Sequence, residues 1–591
     1  MPLAGRGKLC EDALNLDRNE DYTMIKRALA FGALAAGALT LAGCDAMPGF
    51  GETEPTLDIP EVEAGDISEA TMIDITRTLS SDEFGGRMPG TEGEEMTVAL
   101  LTERFEAAGL QPGNGDSWVQ EVPLVEITGN NFAPLTITNG ETDLVYDYGS
   151  EWTGVTYRED ASTQIANSEL VFVGYGINAP ERDWNDYEGV DVTGKTVVIL
   201  VNDPDWETEG LDGTFNGRAM TFYGRWTYKY EEAARQGAAG AIIVHDTAPA
   251  SYGWNVVESS WGGPQAYPQR GENAPEMTLL NGWVQKEVAR EILAAAGQDL
   301  DELTAAAKTE GFAAVELGMT ASTSFQNTFR SFSSQNVIGV LPGSEAPDEY
   351  VLHTAHWDHL GTCNPPADDG DDICNGAVDN ATGTAALVAL AEAHGKAGAP
   401  RRSLVFLAVT AEESGLLGAY YYASNPVFPL DQTVGGVNMD AFLVAGPSND
   451  VTVVGPGKSQ LDLFLEAALS ADGRVATPNP SPEAGYYYRS DHFAFAKQGV
   501  PMLYVDGGED LIEGGTEAGA AVATDYRENR YHGPKDEFDE NWDWSGVMAD
   551  LQLMYRLGRM MAMSTSWPNW NEGDEFRGTR DESCASSEGG C

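Results

Sequence analysis

Apolar residues in the second half of the chain fall into short runs separated by amphipathic stretches. Residues 351–355 (VLHTA), 403–410 (SLVFLAVT), 434–439 (VGGVNM) and 501–505 (PMLYV) are too short for helices. They lack the polar alternation of a half-exposed strand, so each reads as a strand buried on both faces. Between and after them, residues 381–396, 416–424, 461–471 and 544–564 repeat apolar positions at helical spacing. Polar residues stand where the runs stop: His356 and Asp358 after the first, Glu412 and Glu413 after the second, Asp440 after the third. This repetition predicts an α/β fold, a doubly wound mixed sheet with helices on both faces and functional side chains on loops at the strand C-termini.

Those polar residues, with Asp379 ahead of the first helix and His532 downstream, supply two imidazoles and several carboxylates. A pair of Zn²⁺ ions takes N and O ligands of this kind; one carboxylate has to bridge, and another has to stay free as a base. Each motif alone has an ordinary reading, His356 as a core or surface histidine and Glu412-Glu413 as a solvated helix start. Their joint order at successive strand ends favours the metal site.

Several strings carry a family resemblance: residues 356–361 (HWDHLG), 375–383 (NGAVDNATG), 412–418 (EESGLLG), 438–440 (NMD), 489–492 (RSDH), 531–532 (YH) and, earlier, 79–91 (LSSDEFGGRMPGT). From about residue 67 to 565 the chain resembles the M28 metallopeptidases, which include bacterial aminopeptidases and glutamate carboxypeptidases. The resemblance implies that His356 and Asp440 hold one metal, Glu413 and His532 the other, and that Asp379 bridges them. Glu412 is then the general base, and a cis peptide joins Asp379 to Asn380. Asp358, counted as catalytic in the family, reads as a carboxylate orienting the second ring nitrogen of His356. Tyr531 has two readings, an oxyanion donor and a structural tyrosine. Arg489 also has two, a ligand for the substrate's carbonyl or carboxylate and a salt-bridge partner. Phe442 and Tyr486-Tyr487-Tyr488 are candidates for the pocket that takes the N-terminal side chain.

Between residues 136 and 325 the pattern changes, with runs at 170–176, 190–200 and 233–244 that look like the β-rich protease-associated (PA) domain inserted in family members. The expected organisation is a signal region at 1–43, a disordered tether at 44–66, a peptidase domain at 67–135 and 326–565, the insertion at 136–325 and a tail at 566–591. Met24 starts a basic segment, an apolar stretch follows, and residues 41–44 (LAGC) match a bacterial lipobox, so Met24 is the expected initiator and Cys44 the expected lipidation site. That places the protein on the periplasmic side of the bacterial cell envelope, exported and membrane-anchored through lipid. Cys363 with Cys374, and Cys584 with Cys591, are plausible local disulfides in an oxidising compartment. The alternative, zinc binding by these cysteines, is weakened by the lack of C-x-x-C spacing.

The chain has 591 residues and a formal net charge of −59, which excludes nucleic acid as a partner because phosphate binding needs clustered Lys and Arg. The same charge would draw a peptide's α-ammonium toward the cleft. The expected activity is therefore that of an exported two-zinc exopeptidase acting on peptides, foremost an aminopeptidase. Three alternatives stay open: a glutaminyl cyclase, a carboxypeptidase or dipeptidase of the same fold, and a non-catalytic transferrin-receptor-like binding protein.

Overall fold

In the computed structural model, which describes residues 57–270, 277–363 and 370–586, the apolar runs become the middle of a mixed sheet. In chain order its strands are β1 (Val119–Asn130), β2 (Val315–Leu341), β3 (Ala346–His356), β4 (Arg402–Val409), β5 (Thr433–Asn438), β6 (Asp450–Val453), β7 (Val475–Pro478) and β8 (Met502–Gly507). Across the sheet the order is β1-β2-β4-β3-β5-β8-β6-β7. The four strands β4, β3, β5 and β8 are parallel, and antiparallel pairs flank them.

The helices used below are α1 (Glu69–Leu79), α2 (Glu92–Ala107), α3 (Trp226–Arg235), α4 (Gly383–Ala397), α5 (Leu417–Ser424), α6 (Leu461–Asp472), α7 (Gly515–Asn529) and α8 (Ser545–Met563). On β4, Leu404, Phe406 and Ala408 share a core with α4 and α8, while Val405, Leu407 and Val409 share another with α5. Both faces are covered, so the strand has no polar alternation to show. Burying each of the large side chains contributes on the order of 2 kcal/mol.

Residues 131–314 build a second lobe with apolar cores of its own. Strands Ser162–Phe172, Thr196–Leu200, Gly240–His245 and Leu280–Gln285 run parallel in that order, with Trp152–Val155 antiparallel to the last. β2 passes through both lobes: its first half pairs with Ser162–Phe172 and its second half with β1 and then β4. A boundary at residue 325/326 therefore falls inside one continuous strand.

The disordered tether expected over 44–66 is corrected for residues 57–66. Leu57, Ile59 and Val62 pack on the main core. Gly65 N–H donates to Gln552 Oε1, and the Arg556 guanidinium donates to the Val62 carbonyl on the same stretch. Three apolar side chains against α8 outweigh the local Pro and Glu content. The expected signal region, the lipidation site Cys44 and the rest of the tether lie outside the described residues, as does Cys591. Cys363 and Cys374 are disulfide-bonded, and Cys584 is also in a disulfide. Residues of the expected tail pack tightly, with Trp570, Phe576 and Arg580 buried. Among the described residues no helix is long and apolar enough to cross a membrane.

Candidate metal centre

The strand ends deliver the site. His356 closes β3, Glu412 and Glu413 follow β4, and Asp440 follows β5. Asp379 lies in a wide turn over Ala377–Thr382 that precedes α4, and its peptide to Asn380 is cis. His532 comes just after α7.

His356 Nε2 lies 3.2 Å from Asp440 Oδ1 and 3.4 Å from Asp379 Oδ1. His532 Nε2 lies 3.2 Å from Asp379 Oδ2 and 3.1 Å from Glu413 Oε2. One carboxylate, Asp379, thus turns one oxygen toward each of two clusters. A tetrahedral ion with bonds of about 2.0–2.1 Å holds its donors roughly 3.3 Å apart, so both clusters have the donor types and spacing that zinc uses.

Neighbouring groups fix these side chains. Asn380 Nδ2 donates to the carbonyls of His356 and Met439, and its Oδ1 accepts the amides of Gly383 and Ala441. Ser490 Oγ donates to Asp440 Oδ2 at 2.6 Å, and the Asp536 carboxylate accepts the amides of Val378 and Asp379. Ala411, Ala441 and His532, each beside or among the site residues, hold φ of 54°, 60° and 56°. Left-handed backbone at residues other than glycine costs on the order of 1 kcal/mol and is retained where surroundings enforce it.

Asp358 departs from its expected role. Its main-chain carbonyl, not its carboxylate, is the nearer group to His356 Nδ1, at 3.2 Å against 3.8 Å. The carboxylate instead accepts the Glu412 amide at 3.1 Å, so Asp358 shapes the loop that presents Glu412. His359, to which the sequence reading gave no role, holds Glu413 Oε1 at 2.6 Å through Nδ1. In the sequence it stood only within the 356–361 string (HWDHLG).

Glu412 lines the cavity beside Asp379 and Asp440. Burial pushes its carboxyl well up, and Asp440, Glu413 and Asp491 add to this while His356 opposes it. The buried Asp491 has both carboxylate oxygens without a hydrogen-bond partner, and burial likewise pushes it up. Such a concentration of acids stabilises a bound cation.

Tyr531 is 48% exposed, stacks on His532 with ring centres 3.8 Å apart, and lines the same cavity. Arg489 lines it too, with its guanidinium 5.7 Å from the Tyr486 ring. Of the four aromatic residues expected near the side-chain pocket, only Tyr486 reaches the cavity. Phe442, Tyr487 and Tyr488 are buried in apolar clusters instead, because their loops turn inward.

The fold and this centre define an α/β protein with candidate metal-ligating carboxylates and imidazoles gathered at the C-terminal edge of a parallel sheet segment. Residues 336–556 match the model of peptidase family M28. "Aminopeptidase NAALADL1" of Mus musculus is 32% identical over 129 residues, 21% of this chain and 16% of that protein. A "Probable zinc metalloprotease" of Pyrenophora teres f. teres is 45% identical over 85 residues, 14% of this chain and 17% of that one. The chain thus spans less than a fifth of the length of these curated relatives. Among solved structures, an aminopeptidase from Aneurinibacillus sp. strain AM-1 is similar with a TM-score of 0.44 at 19% identity, covering 84% of this chain and 94% of that chain. A zinc aminopeptidase from Bacillus subtilis is similar with a TM-score of 0.38 at 17% identity, covering 84% and 95%.

Proposed function

We propose that this chain is an exported exopeptidase using two zinc ions, and specifically an aminopeptidase that releases N-terminal residues from peptides. The observation that carries the proposal is Asp379, whose Oδ1 faces His356 and whose Oδ2 faces His532. In this reading His356 and Asp440 hold one ion, Glu413 and His532 the other, and Asp379 both. Bound zinc supplies Lewis acidity and lowers the pKa of water toward neutrality.

The remaining steps belong to side chains. Glu412 accepts the proton of the attacking water and returns it to the leaving amine as the C–N bond breaks. Asp358 keeps the Glu412 loop in place through the amide hydrogen bond. His359 orients Glu413. Tyr531 donates its hydroxyl toward the developing oxyanion from the cavity wall, and the acids around the centre favour a substrate's α-ammonium. The signal-like pattern of residues 24–44 supports export with a lipid anchor on Cys44, and the runs within residues 136–325 support a PA-like lobe forming one wall of the cleft.

The test is hydrolysis of free, N-acetylated and C-amidated di- and tripeptides, with and without chelator, beside Glu412→Gln. The expected result is chelator-sensitive release of the first residue from free N-termini alone. Activity should fall roughly 10²–10⁴-fold in the variant while two zinc ions per chain remain bound. Cleavage of N-blocked peptides would replace this reading with a carboxypeptidase, and cyclisation of N-terminal glutamine with a cyclase. No turnover at full metal occupancy would replace it with a binding protein.

A further inference from the structure

The cavity beside the metal centre has an open side and a floor. Pro480, Arg489, Val522 and Arg527 line it and are exposed, whereas Ser448, Thr452, Leu511 and Asp550 line it with no more than 9% of their surface exposed. The floor is one connected piece of structure. Ser448 and Leu511 form a bridge, and Arg474 donates to Ser448 Oγ while pairing with Asp550 at 2.7 Å.

The sheet places Asp506 against that floor. Asn438 of β5 pairs with Tyr504 of β8, so Asp506 stands two residues beyond the pair on one strand as Asp440 stands two beyond it on the other. Neighbouring strands lie about 4.8 Å apart, and Tyr504, Asp506 and Asp440 all line the cavity. On its other edge β8 pairs with β6, where Thr452 lies opposite Asp506. Gly507 and Gly508 follow on the same wall and have little room for side chains, since a Cβ would lie 3.1 Å from Asp550 Oδ2 at the first and 2.0 Å from Asp450 Oδ1 at the second.

The acids around Asp506 have partners of their own. Asp550 has Arg474, Asp450 accepts the Thr477 hydroxyl and the Asp510 amide, and Asp440 accepts the Ser490 hydroxyl and faces His356. Among the described residues the Asp506 carboxylate has neither an ion pair nor a hydrogen bond. Burial pushes it well up, and Asp440 and Asp550 add to this. A carboxylate held in this way is costly unless a cation joins it.

We propose, building on the aminopeptidase reading, that Asp506 selects the side chain of the substrate's first residue, so that peptides beginning with lysine or arginine are the preferred substrates. An exopeptidase has to seat that one side chain and let the rest of the peptide leave. The floor receives the side chain, and the open side releases the peptide. The ammonium or guanidinium pairs with Asp506, and its aliphatic stem lies against Leu443 and Tyr504 of the cavity wall. Phe442, Tyr487 and Tyr488, which would make the pocket apolar, are buried elsewhere. The cavity volume of about 390 Å³ lies at the small-ligand end of the usual range, roughly 300–1,000 Å³, and suits a single long side chain beside the scissile bond.

Release of the first residue is measured on the zinc-loaded full chain with Lys-Ala-Ala, Arg-Ala-Ala, norleucyl-Ala-Ala and Nε-acetyl-Lys-Ala-Ala. Salt of about 0.5 M suppresses long-range steering, and norleucine keeps the stem of lysine without its charge. The expected kcat/KM for the lysine and arginine peptides exceeds that for the two uncharged ones by roughly 10–100-fold. In Asp506→Asn that ratio should fall toward one, with zinc content and melting temperature reported alongside to verify the fold. A ratio of one in the parent overturns the pocket whether or not the variant folds. So does a variant that slows charged and uncharged peptides by the same factor, which would move Asp506 to the α-ammonium. A ratio abolished instead by Glu509→Gln, three residues further along the same wall, overturns the assignment to Asp506. No release of a first residue from any of these peptides overturns the aminopeptidase reading itself.

Discussion

The buried Arg87 guanidinium donates to four carbonyls, those of Leu79, Trp357, Asn375 and Gly376. It thereby ties the end of α1 to the loop after His356 and the loop before Asp379, with its own backbone at φ 47°. A lysine has three donors on a flexible stem and no fork, so Arg87→Lys leaves buried carbonyls unpaired at about 1–3 kcal/mol each. We expect chemical denaturation to show a loss of roughly 3 kcal/mol or more, with zinc content falling in parallel. Unchanged stability would refute this account. Arg87 was visible in the sequence only as part of a family string, because a guanidinium's partners here are main-chain carbonyls, which leave no mark on composition. His359 was equally hidden, since its partner Glu413 lies 54 positions away.

Elements were more legible. The apolar runs located β3, β4, β5 and β8 to within a few residues, because a strand covered on both faces has no other use for consecutive apolar side chains. The start of α4 was read at residue 381 and falls at Gly383, since Asp379 and Asn380 leave helical geometry to serve the site. Packing between elements was not legible. His353 on β3 and His394 on α4 are fully buried near each other, His394 stacks on Tyr555 of α8 at 4.3 Å, and a Cβ on Gly558 would lie 2.1 Å from His353 Nε2. Burial pushes His353 down to about 3 and His394 well down. Both are held neutral when folded and take up protons on unfolding. Their contribution to stability is thus complete above pH of about 6.5 and is lost progressively as pH falls below it, at a limiting slope of about 1.4 kcal/mol per pH unit per histidine. His394→Phe should flatten the stability–pH curve in that window. An identical slope in parent and variant would remove these histidines as its cause.

At the scale of the whole molecule, two lobes share β2, and the Met220 amide of the second lobe donates to the Pro482 carbonyl of the main lobe. The chain carries a formal net charge of −59, and Asp379, Glu412, Asp440, Asp506 and Glu509 are among the residues lining the cleft. For a dicationic substrate such as Lys-Ala amide, kcat/KM should fall several-fold between 20 and 500 mM salt as the Debye length shrinks from about 20 Å to about 4 Å. Leu-Ala, which is a zwitterion, should change much less, and equal slopes would show that the charge does not steer substrates. The sequence by itself determined the α/β class and the order of site residues at the strand ends, since burial period and residue chemistry are local properties. Only the tertiary structure decided that Asp358 serves Glu412, that His359 holds Glu413 and that residues 57–66 pack on α8. Each of these depends on which distant segments share a few ångströms, and no local pattern encodes that distance.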